Sequence, residues 1–346
     1  LKMRTIQQLV RPNILSVEDV DSVRKSGADS GIRVRLDANE CPYNSPYNRY
    51  PDACQETLRS VLAPVKGVDA CQICVANGRD EVINLLYRCF CRPGVDNVVA
   101  VHPTYGMYRV CAEINDVDYR PVLLDGDFQI NADRILSCCD GNTKMVWLCS
   151  PNEWVGNLLK QDEIETLLGS FDGIVVVDET YIDYAKSRSF RNDIGRYERL
   201  VVIDTMSAAW GAAAINVAMA YSNREIISVL NKVKLRHNVS TIAQNYAIEL
   251  ARDPFEIVKR ASLVCLERQR LMNAVAMLPF CDKVFASDAN FFLARMTDAE
   301  LVYKYLVGSG IAVCNCSGVA LCDNCLRITV GTKNENNELL AALRQY

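Results

Sequence analysis

The sequence predicts an α/β protein, with a large domain on a mostly parallel sheet flanked by helices and a smaller α+β domain. Three observations carry this. Short β-branched runs alternate with longer amphipathic stretches through the first two thirds of the chain. The runs 174–177 and 200–203 are apolar at every position, as strands covered on both faces are. Beyond residue 242 the texture changes to long helical patterns, then to short strands and a closing helix.

In chain order, strands are expected over 97–101, 145–149, 173–178, 200–204 and 217–221, with a further one ending near Ala76. Helices are expected over 80–90, 104–115, 161–169 and 224–233. The smaller unit reads as helices over 242–252 and 255–278, strands near 291–294 and 326–330, and a helix over 334–344.

Composition bounds the function classes. Of the 346 residues, 50% are hydrophobic and 23% charged, which excludes a long disordered chain and leaves ample material for a core. With 38 basic against 42 acidic residues and no long Lys/Arg cluster, a nucleic-acid or anionic-membrane surface is not expected. No stretch near the start suits a signal-peptide core and none is long enough to span a bilayer, so a cytoplasmic protein is expected. The 16 cysteines sit largely within apolar runs, which reads as reduced, packed thiols rather than a disulfide scaffold. Only two histidines exist, leaving little material for His-based metal sites or catalytic triads.

In an open parallel sheet ligands bind beyond the carboxyl ends of the strands, so the residues there carry the chemistry. Asn77-Gly78-Arg79-Asp80-Glu81 is a glycine turn opening a helix, an anion seat, although Asp80 also reads as a simple cap. Asp178 ends a buried strand and needs a partner there, either a ligand or an ordinary salt bridge. Two further stretches, 149–157 and 204–211, occupy equivalent places.

Taken in order, Arg11-Pro12-Asn13-Ile14, Leu36-Asp37-Ala38-Asn39-Glu40, Asn48-Arg49-Tyr50-Pro51-Asp52, Pro103-Thr104-Tyr105-Gly106-Met107-Tyr108, Asp178-Glu179-Thr180-Tyr181 and the stretch from Cys325 to Thr332 resemble the histidinol-phosphate aminotransferases. That family is pyridoxal-phosphate-dependent, of the aspartate-aminotransferase fold (type I), and transfers an amino group between histidinol phosphate and 2-oxoglutarate in histidine biosynthesis. The resemblance covers nearly the whole chain. It implies that Asp178 faces the cofactor's pyridine nitrogen, Tyr181 its phenolic oxygen and Tyr105 its ring face. The amides of Arg79 and Asp80, the Ser207 hydroxyl and Tyr50 from a second subunit would cradle the phosphate, and Arg327 would fork onto the substrate's carboxylate or phosphate. It further implies a homodimer, with the large domain over 36–241 and the small one over 1–35 with 242–346.

Five positions depart from the family pattern, all at the implied site. Ala208 stands where the family's lysine forms the Schiff base and shuttles the proton, so neither chemistry is available from that side chain. Glu153 replaces the asparagine that donates to the phenolic oxygen, bringing a negative charge toward a phenolate. Asn216 and Ala218 replace the phosphate-anchoring Arg and its following Gly, and Cys314 replaces a second substrate-phosphate Arg. The expectation is a catalytically disabled relative, with pyridoxal phosphate held non-covalently or lost; the alternatives are an enzyme working through another group and a non-catalytic, cofactor- or ligand-binding homodimeric scaffold. Lys232 and Lys234 read as surface lysines of an amphipathic helix, not as substitutes. One competing reading is a metal site at Cys314, Cys316, Cys322 and Cys325, whose spacing is irregular and equally suits packed thiols.

Overall fold

The structure, a computed structural model, describes residues 3–18, 34 and 36–346. Strands β1 (Ile73–Asn77), β2 (Asn97–His102), β3 (Asp118–Leu123), β4 (Thr143–Cys149), β5 (Ile174–Asp178), β6 (Leu200–Thr205) and β7 (Val217–Tyr221) form one sheet in the order β1-β7-β6-β5-β4-β2-β3. Strands β3, β2, β4, β5 and β6 run parallel, and β7 lies antiparallel between β6 and β1. The carboxyl ends of β1, β2, β4, β5 and β6 therefore share one edge.

The uniformly apolar strands are covered on both faces. Along β4, Val146 and Leu148 pack in one core layer, while Met145, Trp147 and Cys149 pack in the other. Helices Arg79–Phe90, Met107–Ile114 and Arg224–Val233 cover the second layer. Helices Glu56–Lys66, Gln161–Ser170 and Thr241–Ala251 contribute to the first.

A second, antiparallel sheet joins β8 (Cys281–Val284), β9 (Phe291–Met296), β10 (Cys314–Asn315) and β11 (Cys325–Thr329) in the order β10-β11-β9-β8. It has its own core, which helices Ala299–Gly308 and Lys333–Gln345 complete. The 23-residue helix Pro254–Ala276, about 34 Å long by its rise per residue, links the two units. Its start (Ile257, Ala261) packs in the large core and its end (Leu271, Val275) in the small one.

The structure corrects the sequence reading at the edges. Strands β3, β8 and β10 were not expected: β3 carries Pro121, an exposed Asp118 and a part-exposed Arg120, as edge strands do, and so lacks an apolar run. The helix expected over 104–115 is Met107–Ile114. Ile6, Leu9, Val10 and Ile14 are buried in the large sheet's second layer, and the Arg11 amide donates to the Cys89 carbonyl (2.9 Å). The physical reason is amphipathicity: these four apolar residues need a hydrophobic surface, and helices Arg79–Phe90 and Arg224–Val233 present it. The rest of 1–35 apart from residue 34 lies outside the described residues. Among the described residues no helix is long and apolar enough to cross a membrane.

Candidate functional site

The shared carboxyl edge of the strands and the face of the small sheet enclose a cleft of about 340 Å³. Of the residues singled out from the sequence, Arg79, Asp80, Tyr105, Tyr181, Ser207, Ala208, Asn216 and Arg327 line it. Each is held by an element end. Gly78, with φ +86°, turns the chain from β1 into the helix beginning at Arg79. Ser207 and Ala208 follow β6, where the Ser207 amide donates to Thr205 Oγ1 (3.1 Å) and the two hydroxyls lie 3.0 Å apart. Asn216, just before β7, sits against the Gly78 turn and donates to the Asn77 carbonyl (3.3 Å).

Asp178 and Glu153 lie behind Arg79 rather than on the cleft wall. Asp178, fully buried at the end of β5, accepts from the Tyr108 hydroxyl (2.6 Å), the Thr180 hydroxyl (2.6 Å) and amide (3.1 Å), and Arg79 (3.3 Å). Arg79 also donates to Glu153 (3.1 Å) and to the Thr180 hydroxyl (3.2 Å), and its guanidinium lies 3.4 Å from the centre of the Tyr105 ring. Burial opposes the Arg79 charge, but Asp178 and Glu153 outweigh it and hold its pKa above the ordinary value. The same burial, with Asp178 beside it, raises Tyr108.

Glu153 also receives the Tyr181 hydroxyl (3.1 and 3.2 Å), and burial together with Glu153 pushes the Tyr181 phenol up. The Tyr105 hydroxyl donates to Asp80 (2.8 Å), with its pKa pushed up by burial to about 12. Asp80 is thus not the helix cap: Gly78 holds that place, and Asp80 points to a tyrosine. Arg327, on β11, donates to the Glu153 carbonyl (2.8 Å) and stacks near Trp154 and Phe291.

Tyr50 and Cys314 also stand apart from the cleft wall. Tyr50 is 59% exposed and stacks on His237 at 4.8 Å. Cys314 pairs across the strands with Arg327, its sulfur 3.8 Å from that of Cys316. Among the described residues no group of three or more His, Cys, Asp or Glu is placed to hold a metal ion, so the four-cysteine reading has no geometric support.

Thr180, Thr205, Asn290, Phe291 and Thr329 also line the cleft and were missed. The threonines lie at or just beyond the carboxyl ends of strands already identified, so their place was readable. Asn290 just precedes β9 of the small sheet and Phe291 opens it, and no motif in the sequence marks them. Among the described residues no lysine lines the cleft. Lys232 donates to the Leu15 carbonyl (3.2 Å) and Lys234 to Gln55 (2.6 Å), whereas Lys66 is buried on Asp204 (2.7 Å) beneath the Trp210 ring.

A pyridoxal ring with its nitrogen at Asp178 and its face on Tyr105 does not fit this arrangement, because the Arg79 guanidinium already engages both groups.

With a mixed seven-stranded sheet, this cleft at its carboxyl edge and a small antiparallel sheet closing over it, the chain belongs to the class I and II aminotransferases, whose family profile matches residues 15–343. Within that class the chain belongs to the histidinol-phosphate aminotransferase family. It is 48% identical over 344 residues to the histidinol-phosphate aminotransferase of Bacteroides fragilis, covering 99% of this chain and 100% of the relative. It is 46% identical to that of Bacteroides thetaiotaomicron, covering 99% of each. The fold is shared with the crystal structure of the histidinol-phosphate aminotransferase from Clostridium acetobutylicum (TM-score 0.79, 23% identity, 86% of this chain and 90% of that one). It is shared likewise with the Sinorhizobium meliloti enzyme solved in complex with pyridoxal-5'-phosphate (TM-score 0.79, 18% identity, 97% and 87%).

Proposed function

We propose that this chain is a catalytically disabled member of its family, a pseudoenzyme that does not carry out Schiff-base transamination of histidinol phosphate. The observation that carries this is Ala208, which lines the cleft and which the sequence resemblance aligns with the family's lysine, while among the described residues no lysine lines the cleft in compensation. An alanine methyl can neither bond a carbonyl carbon covalently nor move a proton, and a positioned acid–base group alone contributes ~100- to 10,000-fold. Pyridoxal phosphate, the family's cofactor, supplies an electron sink when bound. Here it would be held non-covalently or not at all.

The remaining site residues act as a ligand-binding shell. Arg327 is aimed at an anionic group of a small amino- or keto-acid substrate, Ser207 and the amides of Arg79 and Asp80 at a phosphate, and Tyr181 at a polar oxygen. Asn216 and Cys314 offer no charge to a phosphate, which weakens this shell by ~1.5–3 kcal/mol for each missing cation. We read the functional unit as a homodimer in the cytoplasm, with Tyr50 of one copy reaching the site of the other.

The test is a coupled assay of histidinol phosphate with 2-oxoglutarate, using protein from a host lacking its own transaminase, beside borohydride treatment of protein mixed with pyridoxal phosphate. The expected result is no turnover and no reduced adduct at the site. Turnover that scales with the protein would overturn the reading.

A further inference from the structure

Arg79 and Glu153 are one device. Glu153 alone would be a second carboxylate beside Asp178, both nearly excluded from water, with side-chain exposures of 14% and 0%. Two like charges so placed repel, and each needs a counter-charge. The Arg79 guanidinium, 13% exposed, supplies it to both at once, 3.1 Å from Glu153 and 3.3 Å from Asp178. It is flat, permanently cationic and stacked on Tyr105 at 3.4 Å. A protonated aromatic ring entering the cleft would require the same three things: a carboxylate at its N–H, an aromatic face beneath it and exclusion from water.

We propose that Arg79 is a built-in occupant of the cleft, standing in for the protonated ring of a pyridoxal-type ligand and keeping such ligands out. Glu153 latches it in place, and the Thr180 hydroxyl adds a third contact. This rests on the reading that the chain no longer runs Schiff-base chemistry, and it assigns that loss a second, independent cause: the ring's place is filled from within. It also accounts for Glu153 beside the Tyr181 hydroxyl, since its charge is directed to Arg79 rather than to a ligand.

The test uses pyridoxamine 5'-phosphate, which carries the ring and phosphate but cannot form an imine with a lysine. Its affinity is measured by equilibrium dialysis for the full chain, for Arg79→Ser, and for Arg79→Ser with Glu153→Asn. The double variant removes the carboxylate that the single variant strands, so the comparison survives if Arg79→Ser alone folds poorly. The expected result is at least tenfold tighter binding by the double variant than by the unmodified protein, about 1.4 kcal/mol. Methylguanidinium should raise the melting temperature of Arg79→Ser and leave that of the unmodified protein unchanged. Equal or tighter binding by the unmodified protein would overturn the proposal, as would a methylguanidinium effect common to both proteins. A proposal that fails in this way leaves the absence of transamination standing, whereas turnover in the coupled assay strikes that reading without touching the binding comparison.

Discussion

Ala208 is the residue from which the activity prediction starts, and the proposed loss takes in the other positions read from the sequence as departures. Restoring the amine with Ala208→Lys leaves Glu153 near the Tyr181 hydroxyl, no arginine at 216 or 314, and Arg79 on Asp178. The single variant should therefore recover little. A chain that also carries Arg79→Ser, Glu153→Asn, Asn216→Arg and Cys314→Arg should exceed it in kcat/KM by at least ~100-fold, given ~1.5–3 kcal/mol per charged hydrogen bond. Assaying the two side by side decides this, and comparable turnover from the single variant would show that the other changes are tolerated. A second residue gives a pH signature. Burial raises the carboxyl of Glu179 from 4.5 to about 7, against hydrogen bonds from Ser189 and the Phe190 amide. The folded state thus keeps a proton that the unfolded state releases, so this group's contribution to stability is full below pH 4.5 and is lost as pH rises toward 7. Glu179→Gln should remove up to ~3 kcal/mol of that decline, read from urea midpoints between about pH 5 and pH 8. Parallel curves for the two proteins would refute it.

At the scale of elements, the turn from β1 into the helix at Arg79 sets where the guanidinium enters the cleft. Gly78 has φ +86°, and a Cβ there would meet the Asn216 side chain. Gly78→Ala should cost ~1–3 kcal/mol in chemical denaturation through backbone strain alone. An unchanged midpoint would mean that the turn has an alternative conformation open to it. The glycine turn was legible because its position between a strand and an acidic helix start is a local pattern. Other element contacts were not. The end of helix Glu56–Lys66 is tied to β6 by Lys66, buried between Asp204 (2.7 Å) and Asp183 (3.5 Å). Residues 66 and 204 lie far apart in the chain, and no local periodicity marks their pairing. Edge strands β3 and β8 escaped for a related reason: being half-solvated, they lack the apolar runs that announce central strands.

For the whole molecule, the expected assembly is a homodimer, because Tyr50 is exposed on a loop whose sequence matches the stretch that serves a neighbouring subunit's site. Sedimentation equilibrium at micromolar concentration should return twice the chain mass of 38.7 kDa. A single-chain mass would remove Tyr50 from the site. The family, the central parallel strands and eight of the cleft's lining residues were all legible in the sequence, since each rests on a short contiguous motif or on a run of strongly apolar residues.

What the sequence determined by itself was therefore the family and the central architecture, both written in local pattern and residue identity. Only the tertiary structure decided what the remaining charges do. From sequence, Glu153 was a repulsive intruder and Arg79 little more than an amide in a phosphate loop. In the fold, the carboxyl ends of β1, β4 and β5 share one edge of the sheet, so that the Arg79 guanidinium lies 3.1 Å from Glu153 and 3.3 Å from Asp178. Charges brought together out of water must be compensated on the spot, and that requirement exists only once residues 79, 153 and 178 share one cleft.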